Sequence, residues 1–98
     1  MKLKILQLRN TREYGFMPYD FAKEWGFKLS DYDTVYEDNI DSDTSLDELF
    51  IKFQHENPDC PADFKGHSLS TSDIIELDGH KYYCDSFGWQ EIEEDLTK

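Results

Sequence analysis

Asp78-Gly79 is the sequence feature that most restricts the fold, because both residues tolerate the positive φ angles of a tight type I′ turn. It separates two runs rich in Ile, Leu and Tyr, Ser72 to Leu77 and Lys81 to Asp85, so a β-hairpin is expected there. Other segments supply partners for that hairpin. Lys2 to Leu8 places Leu3, Ile5, Leu6 and Leu8 in a short run that reads as a first strand with its lysines toward solvent, and Tyr32 to Glu37 reads as a second. After a turn at Phe87-Gly88-Trp89, Gln90 to Ile92 reads as a last strand, and the acidic end Glu93-Glu94-Asp95 is expected to fray.

Two helices are expected. Phe21 to Trp25 follows Met17-Pro18-Tyr19-Asp20 and is stopped by Gly26. The main helix starts at Thr44, with Asp47 three residues on as in a capping arrangement, and Leu46, Leu49, Phe50 and Phe53 recur at i, i+3, i+4 and i+7. Pro58 and Pro61 bracket a loop that runs to about Gly66. A chain of 98 residues can support one core, and its seven Phe, six Tyr and two Trp are ample to fill it. These elements define a single α+β domain over residues 1–98, a small, mostly antiparallel sheet with the 45–55 helix packed on one face.

The charge distribution is lopsided. Residues 31–48 carry Asp31, Asp33, Glu37, Asp38, Asp41, Asp43, Asp47 and Glu48 without one Lys or Arg. The first thirty residues hold six basic and three acidic side chains, the rest four and nineteen, for a net charge of −12. Such a surface repels nucleic acid and anionic membranes and attracts basic protein surfaces over a Debye length of about 8 Å. Asp43, Asp47 and Glu48 also suit the positive end of the main helix, so part of the block has a structural reason. On composition alone the block reads first as a solvated face that keeps a small domain soluble; against that, its self-repulsion is a cost solubility does not require, which makes the whole block the first candidate partner-binding surface. It lacks the Gly and terminal Glu spacing of a calcium-binding EF-hand loop.

Chemistry-bearing motifs are sparse. Gly66-His67-Ser68-Leu69-Ser70-Thr71-Ser72-Asp73 gathers an imidazole, hydroxyls and a carboxylate, and with Asp85 it suggests a hydrolase site centred on His67 with Ser68 or Ser70. A loop in which Ser and Thr bond the backbone of a turn is the stronger reading, because adjacency in sequence does not build a catalytic relay. No catalytic residue is therefore assigned. His55, Cys60, His67, His80 and Cys84 include only one local ligand spacing, His80-x-x-x-Cys84, so neither a metal nor any other cofactor is expected. The five glycines are scattered singly, without a phosphate-cradling loop. Tyr14, Phe16, Tyr19, Phe21, Trp25 and Phe27 occupy the only basic part of the chain, where stacking on single-stranded nucleic acid competes with core packing. Core packing is expected, since a small domain needs those rings inside. Cys60 and Cys84 form no Cys-x-x-Cys pair, and neither a signal-like leader nor an apolar run of about 20 residues occurs, so free thiols in the cytoplasm and no membrane span are expected.

Asp63-Phe64-Lys65-Gly66-His67-Ser68-Leu69-Ser70-Thr71-Ser72-Asp73-Ile74, followed by Tyr82-Tyr83-Cys84-Asp85-Ser86-Phe87-Gly88-Trp89, resembles the hallmark of the YodL-like domain family. Phe16-Met17-Pro18-Tyr19 and the Tyr32 to Tyr36 segment extend the likeness over nearly the whole chain, while Cys84 stands where that pattern leads one to expect a β-branched residue. The resemblance implies a small domain of Gram-positive bacteria, plasmids and phages with no established enzymatic activity, often set beside antirestriction-type domains. The expected function is that of a non-enzymatic acidic protein from a phage or mobile element. It would inhibit or regulate a basic, nucleic-acid-binding host defence protein by presenting carboxylates in place of phosphates, and it would bind no nucleic acid itself. The alternative is a regulatory adaptor for a bacterial morphogenesis or envelope partner, using the 63–73 loop and the hairpin, with His67, Ser68, Ser70, Asp73 and Phe87 as its surface.

Overall fold

The structure, a computed structural model, describes residues 1–12 and 14–92; the expected fraying of residues 93–95 lies outside them. In chain order the elements are strand β1 (Lys2–Leu8), helix α1 (Tyr19–Glu24), a 3-10 turn (Leu29–Asp31), strand β2 (Tyr32–Asn39), helix α2 (Leu46–Lys52), and strands β3 (Ile74–Leu77), β4 (His80–Cys84) and β5 (Trp89–Ile92). The strands form one sheet in the order β2-β1-β3-β4-β5, and every neighbouring pair is antiparallel. This is the α+β fold expected, with its first strand between the second strand and the hairpin.

Local chemistry accounts for the turns. Leu77 pairs with His80 across Asp78 (φ 49°) and Gly79 (φ 89°), the two consecutive positive φ angles of a type I′ turn. Gly26, with φ 88°, terminates the segment after α1, where a side chain on the backbone would be strained. α2 is capped one residue later than Thr44 suggested. Ser45 Oγ accepts the Glu48 N–H at 3.1 Å and donates to Glu48 Oε1 at 3.3 Å, so Ser45 is the N-cap and the helix begins at Leu46.

The sheet is covered on both faces, whereas the sequence pattern placed a helix on only one. On one face Leu3, Ile5 and Ile75 pack against Leu49 and Phe53 of the α2 segment and against Phe64 and Leu69 of the following loop. On the other, Leu8, Ile74, Tyr83 and Ile92 meet Tyr14, Tyr19, Ala22 and Phe27 from the α1 region, with Tyr32 of β2. The signal lay in β1 and β3 themselves: Leu6 and Leu8 alternate with Leu3 and Ile5, and Ile74 adjoins Ile75, so both sides of the central strands are apolar. Phe27 sits edge-on to Tyr14, Tyr19, Tyr32 and Tyr83 with ring centroids 5.6–5.8 Å apart. Removing a ring enclosed in this way costs on the order of 3–5 kcal/mol.

Ser72 joins the second face to the sheet. It is buried with φ 85°, its N–H donates to the Cys84 carbonyl at 2.9 Å, and its carbonyl accepts the Tyr32 hydroxyl at 2.6 Å. Its Oγ accepts the Phe16 N–H at 3.0 Å. A non-glycine residue holds this left-handed conformation because its side chain satisfies an amide that nothing else reaches. Ser72→Ala keeps the backbone strain and orphans that amide, so a loss of about 1–3 kcal/mol is expected in urea denaturation. Ser72→Gly orphans the same amide but relieves the strain, and should lose less; equal losses would show that the φ angle carries no cost.

Candidate functional site

The 63–73 loop is built around a buried glutamine. Gln7, on the same side of β1 as Leu3 and Ile5, is only 3% exposed. Its Nε2 donates to the His67 carbonyl at 2.8 Å and to Asp73 Oδ2 at 3.1 Å, while its Oε1 accepts the His67 N–H at 3.1 Å. Asp73 Oδ2 also accepts the Ser70 N–H at 2.9 Å. Gly66 permits this approach, because a Cβ there would stand 2.1 Å from Gln7 Oε1 and 3.0 Å from Val35 Cγ2.

The same geometry decides what His67 can do. Its Nδ1 donates to the Ser68 carbonyl at 2.8 Å, which leaves Nε2 facing Asp73 Oδ1 at 3.8 Å. Ser68 Oγ accepts the His55 N–H at 2.8 Å, and Ser70 Oγ is buried without a hydrogen-bond partner among the described residues. Asp85 accepts the Tyr19 N–H at 3.3 Å and the Ser86 N–H at 2.8 Å, tying the β4–β5 turn to the start of α1. The relay contemplated from the sequence, His67 with a serine hydroxyl and Asp85, is not assembled by these bonds. Asp73 is instead buried beside His67, and its carboxyl is pushed up to about 6 by burial, against the opposing pull of the Ser70 amide, His67 and Gln7.

The acidic block is divided by the fold. Asp33 pairs with Arg9 at 2.8 Å and Glu37 with Lys4 at 3.6 Å, both across the β1–β2 ladder. Asp31 accepts the Tyr14 hydroxyl at 2.7 Å, and Asp47 accepts the Trp89 indole N–H at 3.2 Å. Asp43 is exposed ahead of α2. Asp38, Asp41 and Glu48 converge on a shallow groove of about 980 Å³ beside the end of β2, together with Asp59 from the loop after α2 and with Lys52. Asp59 lies outside the acidic block in sequence, and only the packing of α2 on the sheet brings it there.

The remaining candidates separate cleanly. Tyr14, Tyr19 and Phe27 are core, as expected, but Phe16, Phe21 and Trp25 are 57%, 54% and 59% exposed, which corrects the expectation that this whole aromatic group packs inside. α1 is one short helix that buries only Tyr19 and Ala22, so Phe21 and Trp25, four residues apart, share its outer face. Phe87, at the β4–β5 turn, is 97% exposed. His80 bonds Glu91 at 3.3 Å, while Cys84 is buried, with its thiol pushed up to about 12 by burial and then by Asp73 and Asp85. Among the described residues no three His, Cys, Asp or Glu side chains are grouped to hold a metal ion, and no helix is long and apolar enough to cross a membrane.

A five-stranded antiparallel sheet with two helices and a Gly66-to-Asp73 strap defines a small α+β domain. The sequence pattern of the YodL-like domain matches residues 2–94, and the chain belongs to that family. No curated protein and no solved structure matches it.

Two outcomes follow from the strap. Gly66→Ala must displace the Gln7 amide from its bonds, and a loss of roughly 1–3 kcal/mol is expected by chemical denaturation; no loss would mean that the amide moves freely. The Asp73 carboxyl holds its proton more tightly folded than unfolded, where its ordinary value is 3.8. Its contribution to stability is thus complete below that value and is lost as the pH rises through about 6. Asp73→Asn keeps an acceptor for Gln7 and Ser70, so its urea midpoint should gain on wild type between about pH 4 and 7. A midpoint difference constant across that range would contradict the assignment.

Proposed function

We propose that this YodL-like domain is a non-enzymatic interaction module whose acidic face receives a basic protein surface. The observation that carries the reading is the groove where Asp38, Asp41, Glu48 and Asp59 meet from β2, the β2–α2 connection, α2 and the loop beyond it. Lys52 is the one cation in its lining, and none of the four carboxylates forms a salt bridge among the described residues. In a chain of net charge −12 such a groove attracts a cationic partner at long range and accepts its side chains at short range.

The partner this chemistry fits best is a nucleic-acid-binding protein, whose basic surface takes carboxylates in place of phosphates. In the family's setting on mobile elements, that partner is a host defence effector held inactive by the domain. A second reading, an adaptor for a morphogenesis or envelope partner, is favoured by the almost fully exposed Phe87. The inward bonds of Gln7 to the 63–73 loop and the burial of Asp73 count against the loop as its surface.

Reversing Asp38, Asp41 and Glu48 to Lys separates the two. Under the acidic-face reading the triple variant loses capture of its partner from a host lysate at low salt while still unfolding cooperatively on heating, with relief of like-charge repulsion set against the loss of the Glu48 carboxylate from the start of α2, and wild-type capture is lost at high salt. Capture that survives both reversal and salt, and falls in Phe87→Ser, would transfer the function to the β4–β5 turn.

A further inference from the structure

We infer that the outer edge of β2 is a docking rail for an extended basic segment, which joins the sheet as a sixth strand. The inference rests on the acidic-face reading and adds to it the mode of binding. Among the described residues β2 ends the sheet and pairs only with β1. In an antiparallel ladder alternate residues turn their N–H and C=O to the neighbour. The Ile40 N–H bond to the Met1 carbonyl and the Arg9 N–H bond to the Asp31 carbonyl fix the phase at the two ends of the pair, and a bulge between them corrects the register. Counting from either end, Asn39 and Glu37, and Tyr32 and Thr34, face outward.

Part of that edge is already closed. The Arg9 guanidinium donates to the Tyr32 carbonyl at 3.3 Å and also to that of Ser30, and Asp38 Oδ1 accepts the Asn39 N–H at 2.8 Å. The N–H and C=O of Thr34 and Glu37, and the C=O of Asn39, have no hydrogen-bond partner among the described residues. The open stretch from Thr34 to Asn39 spans roughly 20 Å of strand.

Charge and a bulge are the usual means of blunting an exposed edge, and here they determine what can pair with it. A second copy of β2 would bring Asp33, Glu37 and Asp38 near like charges, which disfavours self-association through this edge. A basic strand reverses the sign. β1 supplies the precedent, since this Lys-bearing strand places Lys4 directly opposite Glu37 and Arg9 against Asp33 on the inner side of β2. The outer side offers matching relief: a recess of about 420 Å³ lies along Thr34, Val35, Tyr36 and Glu37, bounded by Asp63 and Lys65. The acidic groove begins where that recess ends, at Asp38 and Asn39. An added strand thus sets apolar side chains beside half-buried Val35 and Tyr36, cations beside Glu37, and its end among the carboxylates of the groove.

The test uses a peptide of about eight alternating Lys and Val residues, and a copy N-methylated at alternate amides so that charge is kept while one hydrogen-bonding edge is lost. Amide hydrogen exchange of the whole chain is followed by NMR. The unmethylated peptide should slow exchange at Thr34 and Glu37 by about tenfold or more, and the methylated copy should not. Thr34→Pro removes an outward N–H without touching the β1 ladder, so it should lose the peptide while the β1 and β3 amides stay protected. Equal binding of both peptides, with exchange at Thr34 and Glu37 unchanged, overturns the edge proposal and leaves the acidic-face reading standing. Failure of both peptides to bind at low salt overturns the two together.

Discussion

The hydrogen bonds of the Gln7 amide are the constraint from which the rest of the structure follows. Residues 53–73 contain no helix or strand, yet they supply Phe53, Phe64 and Leu69 to one face of the sheet. A segment of this length stays in place only if its backbone polar groups are satisfied, and β1 and the end of α2 satisfy them. Gln7 takes both the N–H and the C=O of His67, Gln54 Nε2 donates to the Phe50 and Leu69 carbonyls at 2.9 Å, and His55 Nε2 bonds the Gly66 carbonyl at 2.7 Å. The strap then delivers Asp73 and Ser72 to the base of β3, where Asp73 is held by the same amide and Ser72 locks the opposite layer through Phe16 and Tyr32. A polar residue in an interior strand therefore couples the two apolar clusters that lie on either side of the sheet.

That coupling positions the charged surface. With β1 fixed between β2 and β3, β2 becomes the terminal strand, and Asp33, Glu37 and Asp38 lie along that edge, while Asp47 on α2 reaches Trp89 of β5 at the opposite edge. Asp33 and Glu37 are neutralised by Arg9 and Lys4, while Asp38 and Asp41 form no salt bridge among the described residues, and the Met1 ammonium at that end donates to the Ile40 carbonyl at 2.6 Å. The unpaired charge is thus concentrated where the chain leaves the sheet for α2, and Asp59 joins it there from the loop that follows the helix. Packing, not sequence proximity, decides which acids act together.

Much of this was legible before any coordinates. The Asp78-Gly79 turn, the Lys2 to Leu8 strand and the apolar stripe of α2 are local signals, carried by residues within a few positions of one another, and all three hold. The cap of α2 was misplaced by one residue because Thr44-x-x-Asp47 and Ser45-x-x-Glu48 offer the same pattern in two registers. The second layer was missed for a physical reason: α1 is six residues long and its aromatics divide between core and surface, so no periodicity distinguishes Tyr19 from Phe21 in a sequence window. The candidate site was legible only in part, since the acidic block announces its charge but not its pairing with Lys4 and Arg9, which come from a strand some thirty residues earlier. Gln7 gave no signal at all, because a lone amide in a strand becomes meaningful only when the distant loop it bonds is folded against it.

Covering both faces of the sheet leaves a domain of this size little apolar area to offer a partner, and it narrows recognition to edges, grooves and isolated exposed side chains. Phe21 and Trp25 on α1 and Phe87 at its turn are of the last kind, and each acts only within van der Waals reach. On the acidic-face reading the carboxylates at the end of β2, acting over a Debye length, govern the encounter, but charge alone fixes neither register nor orientation. Backbone groups supply what charge lacks, since they bond in one direction and at one spacing. Where unpaired carboxylates and an unpaired strand edge coincide, as they do between Thr34 and Asp41, a surface gains both attraction and register from one short stretch of chain.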